Sequence, residues 1–164
     1  MVWSRSKIMI QDELLKPRNK VFLDYHGPHP EKFYNEIPQL LMTVFRVNES
    51  ALQEKKFFWT RGEPMKFKIA WEVDKDLDRF SYLWVDIKLE GSSPSQGDGT
   101  ASITIEGAIR TEYPQDTFWQ KSLLYELLRT FWHKTTYIKQ RERFLQDGRR
   151  HMSIFIEELK RLTG

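Results

Sequence analysis

The middle of the chain alternates apolar and polar residues. In FKIAWEV, residues 67–73, every second residue is large and apolar, whereas Lys68 and Glu72 fall between them. Period two with one apolar side is typical of an antiparallel sheet that buries one face and leaves the other in water. With a β-branched and aromatic run at the start, five strands are predicted, at 20–26, 52–60, 67–73, 80–90 and 100–113.

Helical periodicity precedes and follows the last four of these strands. Pro30 suits the first turn of a helix, and Pro38 can open the next one. Residues 30–47 are therefore predicted to form two short helices or one kinked helix. GSSPSQGDG, residues 91–99, is predicted to be a long hairpin loop between the last two strands.

After the last strand the pattern predicts a long helix. It starts near Thr117, where the spacing to Gln120 is that of a capping box, and continues to Gln146, roughly 45 Å of helix. Gly148 is predicted to end or bend it, because glycine adopts the left-handed conformation of helix caps. Residues 149–162 are then a second amphipathic helix.

The predicted fold class is α+β: an antiparallel sheet, a meander, packed on a long C-terminal helix, with two short helices after the first strand. A chain of 164 residues suits one domain with a core of its own. Within a single domain 1–164 we distinguish an N-terminal segment at 1–19, the sheet and long helix at 20–146, and the C-terminal helix at 149–162.

The long helix carries two rows of apolar side chains. The broader row is predicted to lie on the apolar face of the sheet, because its members fall within about 140° of arc. These members are Leu123, Leu124, Leu127, Leu128, Phe131, Thr135, Ile138 and Leu145. Where this row meets the sheet, a cavity for a ligand is predicted. Its candidate lining residues are Phe67, Trp71, Leu124, Leu127 and Phe131.

The second row consists of Phe118, Tyr125 and Trp132, spaced by seven residues, with Arg129 beside them. This spacing is what a neighbouring helix contacts. Two interpretations stay open for it. The C-terminal helix or residues 1–16 pack on the row, or a second subunit does, since Trp, Tyr and Arg are frequent in interfaces.

Three aromatic residues lie on the polar side of a predicted strand. Phe80, Tyr82 and Trp84 alternate with the aliphatic positions of 80–90, so a cover is expected over their rings. The candidates are the N-terminal segment and a second copy of the chain. Tyr82 and Trp84 therefore join the interface candidates Phe118, Tyr125 and Trp132. A platform for single-stranded nucleic acid is a weaker alternative, because the aromatic and basic consensus of RNA-recognition strands is missing.

Composition excludes several kinds of chemistry for this protein. There is no cysteine, which excludes disulfides and thiolate chemistry, and no apolar run approaches the length of a membrane span. A cytoplasmic protein without a membrane span is expected. The net charge is +3, yet residues 129–161 hold nine Lys or Arg against four acidic residues. This basic tail is expected to be a solvated helix face; attraction of nucleic acid, acidic lipid or an acidic partner is the alternative.

Chemistry-bearing motifs are few. DYHGPHPE brings Asp24, His26, His29 and Glu31 together in sequence, residue types that can hold a metal or share a proton. Helix capping and surface exposure explain them equally well, and His151 is expected to be solvated on a polar flank. We predict no catalytic residue, no metal and no cofactor, and an enzyme is the less favoured class.

The order of elements resembles the START-like helix-grip (SRPBCC) superfamily. The matching segments cover roughly residues 20–146: KVFLDYH, PEKFYNEI with PQLLMTVFRV, the strands as far as ITIEGAIRTEYP, and TFWQKSLLYELLRTFWHKTTYIKQ. The predicted sheet has fewer strands than that family, and a further strand in 1–16 or around Glu49 would narrow the difference. The resemblance implies a hydrophobic pocket between a curved sheet and the long helix, and it transfers no catalytic residue.

These observations predict a non-enzymatic protein that binds an apolar small molecule between sheet and long helix. The alternative is a self-associating or partner-binding module, in its simplest form a homodimer, that uses the exposed aromatic residues and the basic tail. Nucleic acid is not expected as a partner.

Overall fold

The structure is a computed structural model, and it describes residues 7–114, 123–132 and 137–164. Its strands are β1 (Lys7–Glu13), β2 (Lys20–Gly27), β3 (Leu52–Trp59), β4 (Met65–Asp76), β5 (Ser81–Ser93) and β6 (Gly99–Pro114). Its α-helices are α1 (Phe33–Phe45), α2 (Leu123–Trp132) and α3 (Ile138–Thr163), and short 3₁₀ helices lie at Pro30–Lys32 and Glu49–Ala51. The predicted α+β class, with an antiparallel sheet and a long C-terminal helix, is confirmed. No helix in these described ranges is both long enough and apolar enough to cross a membrane.

The sheet is antiparallel throughout its described strands. β3, β4, β5 and β6 are neighbours in chain order, as expected for a meander. β1 and β2 both pair with β6, β1 along residues 108–114 and β2 along 99–106, so together they form one interrupted edge. β1 lies within residues 1–16, one of the two regions that the sequence analysis named for a further strand.

Register places the large buried apolar residues of β4, β5 and β6 on one face. One row across the sheet joins Trp71, Ile87, Ile105 and Val21. The next outward-facing row joins Glu72, Asp86, Glu106 and Lys20. Because side chains alternate along each strand, this register buries the first row and leaves the second on the open face. We call the buried side the core face and the other the outer face.

Helix α1 covers part of the core face through one row of side chains spaced by four residues. Phe33, Ile37, Leu41 and Phe45 are all at most 1% exposed. Of the two predicted alternatives, two helices divided at Pro38 or one helix through it, the structure has one helix, because α1 continues through that residue. A proline removes one backbone hydrogen bond of the helix, and burial of the row on both sides of it compensates for that loss.

Helix α3 covers the rest of the core face. Its buried residues are Gly148, Met152, Phe155 and Leu159. The prediction that Gly148 ends the long helix, with separate helices before and after it, is therefore wrong. A Cβ at this position would lie 2.8 Å from Leu14 and 3.2 Å from Ile109, so glycine serves close approach of helix and sheet here.

Helix α2 lies within the region where the sequence predicted a helix. The side of α2 that was predicted to pack on the sheet is exposed. Leu124, Leu127, Leu128 and Phe131 are between 53% and 69% exposed. Their predicted place on the core face is wrong, because residues 144–162 of α3 occupy it. Thr135 and Leu123 fall outside what the structure describes for side chains, and Ile138 is 42% exposed.

Candidate functional site

A cavity of about 180 Å³ opens at one end of the layer between the core face and α3. It lies beside the C-terminus of α1 and the turn between β4 and β5. Its walls come from α1, from β4 and the turn after it, from β5 and β6, and from two turns of α3. The lining residues are Phe45, Lys75, Leu77, Leu83, Ile109, Phe144, Asp147, Gly148 and His151.

The interior of the cavity is apolar. Phe45, Leu83 and Ile109 are at most 4% exposed and form its floor, and Leu77 and Phe144 are half-buried near its opening. An apolar cavity of about 150 Å³ stays dry and is large enough to bind a benzene ring. The space here is thus suited to one ring or a short branched alkyl group.

Two polar side chains border this apolar space. The Lys75 ammonium donates to the carbonyl oxygen of Phe45 at 2.7 Å, which satisfies a carbonyl at the C-terminus of α1. His151 Nδ1 lies 2.8 Å from the carbonyl oxygen of Asp147, one turn earlier. Because a carbonyl only accepts, the proton sits on Nδ1, and Nε2 of the neutral ring is left as an acceptor.

The cavity continues into a surface groove between α1 and α3. The groove encloses about 590 Å³ and shares Asp147 and His151 with the cavity. Leu40, Val44 and Ile154 supply its apolar surface, and charged side chains border it. These are Arg46, Arg150 and Glu158, with Asp147. A ligand with an apolar end and a polar end would have room for both.

The cavity is not lined by the residues that the sequence predicted. Phe67 and Trp71 do lie on the core face, but they are at most 2% exposed and pack against other rings. Trp59 lies 5.3 Å from Phe67, and Tyr34 lies 5.9 Å from Trp71, between ring centroids. Leu124, Leu127 and Phe131 are on α2 and exposed. Two of the five predicted residues thus lie on the core face, and none of the five lines the cavity described above.

Sequence reasoning missed the true lining for a physical reason. Phe45, Leu83 and Ile109 have the period of ordinary core residues, and nothing local distinguishes a wall from a filled core. The cavity is lined jointly by Phe45 of α1 and by Phe144 and His151 of α3, segments about a hundred residues apart in sequence. His151, expected to be solvated, is in fact half-buried at the cavity.

The rings on the polar side of β5 have neighbours from their own chain. The Arg110 guanidinium lies 3.7 Å from the centroid of the Trp84 ring, and Trp84 Nε1 donates to Glu72 at 3.1 Å. The Tyr82 hydroxyl donates to Glu112 at 2.9 Å. Of the two candidate covers, the N-terminal segment does not act as one through residues 7–13, because there β1 extends the edge of the sheet.

Charges on this outer face compensate one another. Burial alone would raise the pKa of Glu72, but hydrogen bonds from Lys55 and Trp84 outweigh it and hold that pKa below its usual range. Burial raises the pKa of Asp74, and the adjacent Glu72 carboxylate raises it further. Aromatic rings and paired charges are thus interleaved here, which makes the outer face a polar surface.

Phe80 is covered by the junction of α2 and α3. Its ring centroid lies 5.8 Å from Trp132 and 6.2 Å from Tyr137, and those two rings stack at 4.9 Å. Trp132, predicted as an interface residue, therefore contacts its own chain. Tyr125 is half-buried on the same side of α2, and Phe118 lies outside the described residues.

Tyr137 fixes this junction through a buried hydrogen-bond chain. Its hydroxyl donates to Asp78 Oδ2 at 2.7 Å and lies 2.7 Å from Ser81 Oγ, which in turn lies 2.8 Å from Thr111 Oγ1. Because the tyrosine proton is used on the carboxylate, Ser81 must donate to Tyr137, and Thr111 must donate to Ser81. Each hydroxyl proton has one acceptor in this chain, so the loss of one hydroxyl leaves its neighbours unsatisfied.

Tyr137→Phe is therefore expected to lower the free energy of unfolding by about 1–2 kcal/mol, since it leaves buried polar groups without a partner. The measurement is urea denaturation followed by far-UV circular dichroism. Tyr25→Phe is the matched control, because the Tyr25 hydroxyl donates to the Pro28 carbonyl at an exposed site. Equal effects of the two substitutions would contradict the described hydrogen-bond chain.

The DYHGPHPE segment gives a simpler result. His29 Nδ1 lies 3.1 Å from Glu31 Oε1, whereas Asp24 and His26 are exposed on β2. Among the residues described, no group of three His, Asp or Glu side chains converges on a point where a metal ion could bind. The segment shapes the turn into the first 3₁₀ helix.

Comparison with known proteins adds little to this picture. No protein-family model matches the chain, and no curated protein matches it. A solved structure of a protein of unknown function, SA2116 from Staphylococcus aureus, aligns over 96% of this chain and 98% of that chain, with 14% sequence identity and a TM-score of 0.26. A likeness of that degree carries no argument. The class is thus defined by the fold itself: an α+β protein with a six-stranded antiparallel sheet under a long C-terminal helix.

Proposed function

We propose that the protein binds an apolar small molecule in the cavity at the end of the sheet–α3 layer, without catalysing a reaction on it. The observation that carries this proposal is the cavity's apolar floor of Phe45, Leu83 and Ile109, in a space of about 180 Å³. Specific sites for small molecules are mostly apolar concave spaces with a few placed polar groups. The resemblance of the element order to the START-like helix-grip superfamily agrees with this proposal.

The polar residues at the edge of the cavity indicate that the ligand also has a polar end. Lys75 supplies a positive charge and His151 Nε2 an acceptor at the cavity, and His151 also lines the groove between α1 and α3. The ligand class we propose is a ring-sized or branched apolar group with one polar end. The apolar group would fill the cavity and the polar end would lie toward the groove.

The volume favours binding over catalysis. Ligand pockets for drug-sized molecules enclose about 300–1,000 Å³, so this cavity holds one part of a molecule at a time. The Nδ1 of His151 is held by the backbone carbonyl of Asp147. That arrangement orients an acceptor for recognition.

Benzene is a suitable probe of the cavity. With benzene at ten times its dissociation constant, the free energy of unfolding should rise by about 1.4 kcal/mol. In a chain of this length, each kcal/mol of added stability raises the thermal unfolding midpoint by about 2–4 °C. The midpoint is measured by circular dichroism with and without benzene.

Leu77→Phe is expected to abolish this stabilisation, because the added ring atoms fill the opening of the cavity. Leu77 lies in the turn after β4, where it is half-buried. Leu52→Phe is the control: Leu52 is half-buried against the core but does not line the cavity. Unchanged stabilisation by benzene in Leu77→Phe, or none in the wild type, would contradict the proposal.

A further inference from the structure

Helix α2 presents an apolar stripe to the solvent, which we define as Leu124, Leu127, Leu128 and Phe131. The three leucines are 53%, 69% and 58% exposed, and Phe131 is 69% exposed. Residues three and four apart are neighbours on one side of a helix, so the four side chains form a continuous surface. Such a surface marks an interaction site more often than a scattered apolar residue does.

Contacts at the end of α2 set the direction of the stripe. Trp132 stacks on Tyr137 and packs against Phe80, so this flank of the helix faces the body of the protein. At 100° per residue, Trp132 lies roughly 90° around the helix from the centre of the stripe. The stripe therefore lies beside the flank that makes this contact and is not part of it.

The chain next to α2 is basic. Residues 137–150 hold five Lys or Arg against two acidic residues, an excess of three, which equals the net charge of the whole chain. Lys139, Arg143 and Arg150 are exposed. They lie on the side of α3 opposite Gly148 and Met152, the residues that face the sheet. The exposed apolar stripe and the net positive charge are thus found in consecutive helices.

We propose that α2 docks the protein on an anionic lipid bilayer. The leucines of the stripe would enter the boundary between headgroups and acyl chains, and the basic residues of α3 would lie near the phosphates. Helices with an apolar face and nearby basic residues bind membrane surfaces in this manner, without spanning the bilayer. The stripe is separate from the cavity, although Arg150 also borders the groove beside it. The proposal does not depend on ligand binding.

Charge and size favour a bilayer over a second copy of the chain. Two copies that met through α2 would bring together two basic segments, which repel each other. The stripe has four residues on one short helix, whereas a standard protein interface uses roughly 20–30 residues on each side. A bilayer needs no complementary shape, and its anionic headgroups attract the basic side of α3.

The test uses the full chain and lipid vesicles in a flotation assay. Vesicles of phosphatidylglycerol and phosphatidylcholine in equal parts are compared with vesicles of phosphatidylcholine alone. We expect binding to the anionic vesicles that weakens at high salt, since surface charges are screened. Leu127→Ser with Leu128→Ser is expected to weaken this binding at least tenfold, because less apolar surface is buried in the bilayer.

Two control sets separate the stripe from general surface effects. Phe22→Ser with Phe58→Ser removes large exposed residues from the sheet, and binding should stay within twofold of the wild type. Lys139→Gln, Arg143→Gln and Arg150→Gln together should weaken binding at least tenfold at low salt. Circular dichroism should show an unchanged unfolding midpoint for the stripe variant, since its residues are exposed.

Three results would overturn the proposal. The first is a wild-type protein that does not float with anionic vesicles. The second is equal binding by the wild type and the stripe variant. The third is a dimer in sedimentation equilibrium that the stripe variant converts to a monomer, because the stripe would then belong to a second copy.

Discussion

Leu159→Ala should lower the free energy of unfolding by about 2–5 kcal/mol, because Leu159 is completely buried between α3 and the sheet. The same substitution at Leu127, which is 69% exposed on α2, should change it by no more than about 0.5 kcal/mol. The two variants remove the same atoms from two helices that have similar apolar patterns. Guanidinium denaturation of both gives the comparison.

The pair of leucine variants decides which helix packs on the core face. The sequence alone favoured the region of Leu127, and the structure assigns that place to the region of Leu159. A large loss of stability at Leu127 with a small loss at Leu159 would reverse this assignment. Losses of similar size would mean that both helices contribute to the core.

Gly148→Val should lower the free energy of unfolding by about 3 kcal/mol, at the upper end of what overpacking costs in a well-filled core. A Cβ alone would lie 2.8 Å from Leu14 and 3.2 Å from Ile109. On propensity alone, replacing a glycine inside a helix would increase stability, so the sign of the effect is diagnostic.

Ser153→Val is the control for Gly148→Val, since Ser153 is exposed on the same helix and its substitution should change stability little. Combining Gly148→Val with Leu14→Ala should recover part of the loss, because the leucine methyl groups are what the new side chain meets. Additive effects, or a gain of stability in Gly148→Val alone, would show that α3 does not approach the sheet at this residue.

The strands were predictable because their pattern depends on alternation alone. Phe67, Ile69 and Trp71 share a side in any register that buries them, so the core face of β4 follows from the sequence. The same holds for α1, whose row from Phe33 to Phe45 has helical period. The exact course of α1 through Pro38 did not follow, since a proline penalty is local and the compensating burial is not.

The arrangement of the C-terminal helices could not be predicted from periodicity. The rows on α2 and α3 both describe an amphipathic helix, and a pattern identifies an apolar side without identifying its partner. The deciding feature is Gly148, which permits α3 to approach Leu14 of the distant N-terminal segment. Gly148 also lines the cavity, so the lining depends on this distant contact and could not be predicted either.

The predicted self-association through aromatic residues stays a prediction. Trp84 and Tyr82 each have a polar neighbour on the outer face, and Trp132 contacts Phe80 and Tyr137 of its own chain. A dimer would therefore require a surface that adds to these contacts. The sedimentation measurement on the α2 stripe variant also reports on this possibility.

The central claim is that the cavity at the end of the sheet–α3 layer takes an apolar ligand, and methyl NMR with benzene tests it most directly. In protein with ¹³C-labelled Ile and Leu methyl groups, benzene should shift the signals of Leu83 and Ile109 in a saturable manner. The signals of Ile87 and Ile103, fully buried elsewhere on the core face, should move little. Saturable shifts at Leu127 and Leu128 alone, or uniform small shifts at every methyl group, would contradict the claim.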